Sequence, residues 1–168
     1  MGPSALVGVI ALVAIEYAAN GGAQVGRGAP DPTFHARLER GACYGSCPVY
    51  TVDVDSAGAV TFVGATSVVR PDAPCQGERR WRIEPGAVTR LESVVDHTGF
   101  FAFKAAYRAG VTDMPQFTVT ITRLGRSKTV VDYAGLQAGM PHAMVDLENA
   151  IDTVANTKAC VARAPGRG

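Results

Sequence analysis

The stretch "VYTVDVDSAGAVTFVG", residues 49–64, decides how the chain is built. Tyr50, Val52 and Val54 alternate with Thr51, Asp53 and Asp55. A period of two puts the first set on a dry face and the second on a wet one. Asp55-Ser-Ala-Gly58 supplies the turn, and Ala59–Gly64 returns as the second strand of a hairpin.

Working outward, "FHARLERG" (34–41) alternates more weakly and is expected to be a strand. Downstream, "RPDAPCQGE" (70–78) is a loop, and "RRWRI" (79–83) sets Arg79, Trp81 and Ile83 against Arg80 and Arg82. Exposed arginines on a strand suit a sheet edge, where charge blunts unwanted pairing. The period then changes. In "EPGAVTRLESVVDHTGFF" (84–101), Val88, Leu91, Val94 and Val95 share a helical face. Pro85 stands in the first turn, and Gly99 just past the end. Phe100, Phe101 and Phe103 anchor the exit, and "YRAGVTDMP" (107–115) reads as irregular. "QFTVTITRLGRSKTVVDY" (116–133) is a second hairpin turning near Gly125. Met144, Leu147, Ile151 and Val154 mark a final amphipathic helix over 141–157. The expected order is β-β-β-β-α-β-β-α: an α+β domain whose antiparallel sheet of about six strands carries two helices on one face.

Composition fits one globular domain, 47% hydrophobic and 18% charged over 168 residues. A net charge of +1 argues against nucleic acid as the main partner, since phosphate binding needs clustered positive charge. At the N-terminus, "ALVGVIALVAI" (5–15) is an uncharged apolar run followed by small residues. It reads as an export signal over 1–23, cut after about Ala23. It is short of the roughly 20 residues a spanning helix wants, so no stable membrane insertion is expected after cleavage. An uncleaved anchor is the alternative. Residues 24–33 read as a flexible linker, 34–160 as the domain and 161–168 as a disordered tail.

Cys43, Cys47, Cys75 and Cys160 all follow the export segment. An even count in an exported chain points first to disulfides, with three possible connectivities. Cys43–Cys47 with Cys75–Cys160 is favoured. Gly45 eases the short reversal, and the long bridge would tie down the C-terminus. A redox reading wants C-x-x-C at a helix N-terminus with cationic neighbours. Here the spacing is C-x-x-x-C, a strand follows, and Pro48 biases Cys47 toward extended backbone. A metal reading wants further ligands at fixed spacing, yet His35, His97 and His142 each stand alone. His97 fits a helix C-terminus and His142 a helix start. Asp53 and Asp55 share a strand face and could hold a hard cation, although a solvated strand face is the favoured reading. Asp113 could brace its loop, and "RRWR" could stack on bases or sugars. No hydrolase elbow, phosphate loop, dinucleotide fingerprint or zinc-protease motif occurs. The sequence implies no catalytic residue, no metal and no cofactor.

"CYGSCPVYTVDVDSAGAVTFVG" (43–64) resembles the opening of the DUF6438 family, a bacterial domain family of unknown function. "FFAFKAAY", "VTDMPQFTVTI", "KTVVDYAG" and "DLENAID" resemble its second half. By that resemblance Cys43, Gly45, Cys47, Pro48 and Tyr50 belong to the signature, with Asp113 in a later one. Cys75 and Cys160 stand outside it, as a separate added bridge. The family implies fold and location more than activity. The expectation is therefore an exported, disulfide-stabilised module of the cell envelope or periplasm, binding a protein or a small molecule. A thiol-disulfide protein using Cys43 and Cys47 is the rival, and a membrane-anchored envelope component a third reading.

Overall fold

A computed structural model of the chain describes Gly2 and residues 30–65 and 74–161. The expected export segment, residues 24–29 of the expected linker, 70–73 of the loop and 162–168 of the tail lie outside the described residues.

Among the described residues, seven strands form one sheet: β1 (His35–Arg40), β2 (Tyr50–Asp55), β3 (Ala59–Gly64), β4 (Gly77–Arg82), β5 (Ala106–Arg108), β6 (Gln116–Arg123) and β7 (Arg126–Tyr133). Their order is β4-β3-β2-β1-β6-β7-β5. Each pair is antiparallel except β5 and β7, which run parallel. The hairpin of residues 49–64 forms in the register its alternation requires, with Val52 opposite Phe62 and Val54 opposite Val60. β1 joins the two hairpins, Leu38 lying between Val52 and Val119.

One face of the sheet is covered by α1 (Pro85–Thr98) and α2 (His142–Ala155). Leu38, Val52, Val54, Phe62, Val119 and Ile121 meet Val88, Leu91 and Val95 of α1 and Met144, Leu147 and Ile151 of α2 there, all buried. Each such side chain contributes about 1.5–3 kcal/mol by leaving water. Pro85 opens α1, and Gly99 closes it in the left-handed region at φ 66°. Phe100 is buried, with Phe101 and Phe103 edge-on to it.

The expected α+β sheet of about six strands is present, with β5 as a seventh strand. β5 is three residues long, too short for alternation to register, and it begins inside the stretch between the phenylalanines and the irregular segment. A third helix, α3 (Lys158–Val161), also joins the expected two. Asn156 ends α2 in the left-handed region, and one further helical turn follows. β4 is an edge strand, as its arginines suggested. Trp81 packs against the core and donates its indole N–H to the Ala155 carbonyl at 3.0 Å, while Arg79, Arg80 and Arg82 stay exposed.

Residues 30–33 are held to the domain rather than forming the end of a flexible linker. Asp31 accepts from the main-chain N–H groups of Thr33 and Leu124, and Thr33 Oγ1 accepts from Gly125 at 3.0 Å. Nearby, Arg123 ion-pairs with buried Glu92 at 3.0 Å and with Asp96 at 2.8 Å. This closes one end of the sheet.

Candidate functional site

At the other end of the sheet the dry face turns polar. Arg40 follows Ala36 and Leu38 at two-residue steps, so it points under the helices. Asp132 does the same two places after Val130. Register sets Arg40 between Tyr50 and Phe117, and Phe117 beside Asp132. From above, α2 presents Met144, Leu147, Glu148, Ile151 and Ala155 to the sheet, which buries a glutamate among aliphatics.

Asp152 organises half of this cluster. Its Oδ2 accepts from Arg40 Nε at 2.8 Å and lies 2.6 Å from Arg40 Nη2. Its Oδ1 accepts from the Tyr50 hydroxyl at 2.6 Å and from Thr157 Oγ1 at 2.8 Å. The Arg40 guanidinium also lies over the Phe117 ring, 4.4 Å from its centroid. Burial, the largest single effect, would lower Arg40, but the Asp152 charge and hydrogen bond, together with Tyr50 and Glu148, outweigh it and hold the guanidinium above its usual value. Burial, with the hydrogen bond to Asp152, pushes the Tyr50 phenol well above the usual range, so it stays a donor.

The other half is a pair of acids. Glu148 is 2% exposed, and its Oε1 has no hydrogen-bond donor. Its hydrogen-bonding neighbour is a second acid, Asp132, also buried. Asp132 Oδ1 accepts from Gly135 N–H at 2.6 Å. Burial first, and then the Asp132 charge, push Glu148 up to about 8, with Arg40 opposing. Glu148 so placed keeps its proton at neutral pH.

This pair lines a cleft of about 330 Å³. Met114, Pro115, Phe117, Leu136 and Val145 form its apolar walls. Met114 and Leu136 are partly exposed at 41% and 46%. The lining carries no Cys, Ser, Thr, Lys or His, and its ionisable groups are Arg40 and the carboxyls of Asp132 and Glu148. A few polar groups converging in an apolar pocket is the usual make-up of a small-molecule site.

Among the described residues there are two disulfides, Cys43–Cys47 and Cys75–Cys160, with Cα separations of 5.7 and 4.7 Å. Cys43 and Cys47 are half-buried below an exposed tip, with Tyr44 at 88% and Gly45 at φ 132°. Pro48 leads from that loop into β2, where Tyr50 reaches Asp152. Asp113 contributes through its backbone. It sits at φ 65°, and its carbonyl accepts from Tyr44 N–H at 3.2 Å. Gly41 N–H adds a bond to the Gln116 carbonyl at 2.8 Å. The clipped loop therefore braces the segment that carries Met114 and Pro115 into the cleft. Cys75 N–H bonds the Cys160 carbonyl at 3.3 Å, which holds α3 close to Thr157 and Asp152.

The remaining candidates stay apart from the cleft. Asp53 is engaged by His35 at 3.1 Å and Arg37 at 2.7 Å. Asp55 accepts from the N–H groups of Ala57 and Ala59 in the turn. The two aspartates are thus occupied separately. Nδ1 of His97 lies 2.6 Å from the Ser93 carbonyl near the end of α1, and exposed His142 opens α2. Sequence reasoning passed over Arg40, Asp132, Glu148 and Asp152. The available signal was that the first three fall on otherwise apolar faces.

A mostly antiparallel sheet backed by two helices and clipped by two disulfides defines a mixed α+β domain with a cleft at one sheet end. The family model DUF6438, a domain of unknown function, matches residues 35–155, and the chain belongs to that family. No curated protein matches the chain. Among the described residues, no helix is long and apolar enough to cross a membrane.

Proposed function

We propose that the protein is an exported, disulfide-stabilised binding module that holds a small ligand in the cleft beside Glu148. The observation that carries this reading is a buried acid without a donor, lining an apolar-walled cleft of about 330 Å³. Export to the periplasm or cell exterior is supported by two disulfides in a small domain and by the apolar run at 5–15. Chemical-shift mapping with a mixed fragment set tests the reading. Binding should move the amides of 134–137 and 145–149. A full fragment set that leaves both segments unmoved contradicts it.

The second reading, thiol-disulfide exchange at Cys43 and Cys47, is favoured by one feature: the loop tip is exposed at the protein surface. Mild reduction would then open that bridge alone, with the fold and the cleft retained. A bridge that resists reductant until the protein unfolds excludes this reading.

A further inference from the structure

We infer that the cleft takes a ligand with an apolar body and a protonated amine, which pairs with the buried carboxyls of Glu148 and Asp132. This rests on the cleft reading and names the ligand's chemistry. Arg40 lines the same cleft, and alone it would favour an anion. However, its Nε and Nη2 are both spent on Asp152, whose charge cancels it. That leaves Asp132 and Glu148 as the uncompensated ionisable groups of the lining. Glu148 Oε1 meets no donor, and Asp132 receives one backbone N–H. Only a proton or a cationic donor reconciles two acids in contact. An ammonium brings a charge and three N–H donors, and the walls formed by Met114, Phe117, Leu136 and Val145 accept its hydrocarbon part. When it binds, the amine keeps its proton, and Glu148 releases its own to solvent.

Affinity must then depend on pH. The groups facing Glu148 are Asp132 from β7, Arg40 from β1 and Asp152 one turn along α2. Below about 8 the competent, ionised fraction of Glu148 falls about tenfold per pH unit, and apparent affinity falls with it.

Phenethylamine, with 2-phenylethanol and 3-phenylpropionate as neutral and anionic counterparts, tests this on the full-length protein by calorimetry at pH 6.5, 7.5 and 8.5. The amine should bind most tightly, gain affinity about tenfold from pH 6.5 to 7.5, and release close to one proton when buffers of different ionisation enthalpy are compared. Glu148→Gln should weaken amine binding at least tenfold at pH 8.5 and abolish the pH dependence. Equal binding of the alcohol, tighter binding of the carboxylate, or no proton release in the wild-type protein overturns the inference. If none of the three binds, it also fails, while fragment mapping still decides whether the cleft binds anything. The proton count uses the wild-type protein, so the test holds even if the variant folds poorly.

Discussion

Glu148→Gln should flatten the dependence of stability on pH. In the unfolded chain Glu148 titrates near its ordinary 4.5, and in the fold it is pushed up to about 8, chiefly by burial and the charge of Asp132. Between those values the folded protein holds a proton that the unfolded chain gives up. Stability therefore falls as pH rises from about 4.5 to about 8, then levels off. A pKa unit is worth about 1.4 kcal/mol, so the loss over the window is on the order of 3–5 kcal/mol. Glutamine keeps the shape and donates to Asp132 without ionising. Trp81, the only tryptophan, packs against the core and bonds the end of α2, so its fluorescence reports unfolding. Urea melts from pH 5 to 9 should show the wild-type midpoint dropping by roughly 2 M, given a slope of about 1–3 kcal/mol/M, while the variant stays nearly level. The variant should be the more stable form at pH 8.5. Asp31, Asp53 and Asp96 do not confuse the readout. Their values are lowered, so the stability they contribute is lost only as pH falls below the window. Parallel curves for the two proteins would refute the buried proton on Glu148.

Other outcomes follow from the same geometry. Removing Cys75–Cys160, which spans 85 residues, should cost about 4–5 kcal/mol, against about 2 kcal/mol for Cys43–Cys47, by chain-entropy scaling; paired Cys→Ala variants in denaturant melts measure both. Arg123→Ala should destabilise by about 3–5 kcal/mol, because it leaves buried Glu92 without its cation; thermal melts read the loss. Gly135→Ala should disturb the cleft as well as stability. A Cβ there would lie 2.6 Å from Asp132 Oδ1 and 2.8 Å from Met140 Sδ, and amide shifts of 132–140 would report the displacement.

Much of the fold was legible because alternation and helical period are local. The strands of residues 49–64 and 116–133 declare their dry faces in sequence, and Pro85 and Gly99 bracket α1 before any contact is known. β5 was not legible, since Ala106–Arg108 is held by pairing to β7 rather than by its own pattern. The cleft was legible only in fragments. Glu148 lies four residues after Met144 and three before Ile151, so its place on the apolar face could be read. That it would meet Asp132, from a strand sixteen residues earlier, depends on the packing of α2 across β7. Asp113 shows the reverse case. Its motif drew attention to a carboxylate, whereas its work is done by a left-handed backbone and a carbonyl.

The side-chain carboxyl carbon of Glu148, followed by ¹³C NMR from pH 4 to 10, tests the protonated acid in the cleft most directly. A midpoint near 8, falling when phenethylamine is added, is the expected result. A midpoint near 4.5, unmoved by the amine, would contradict it.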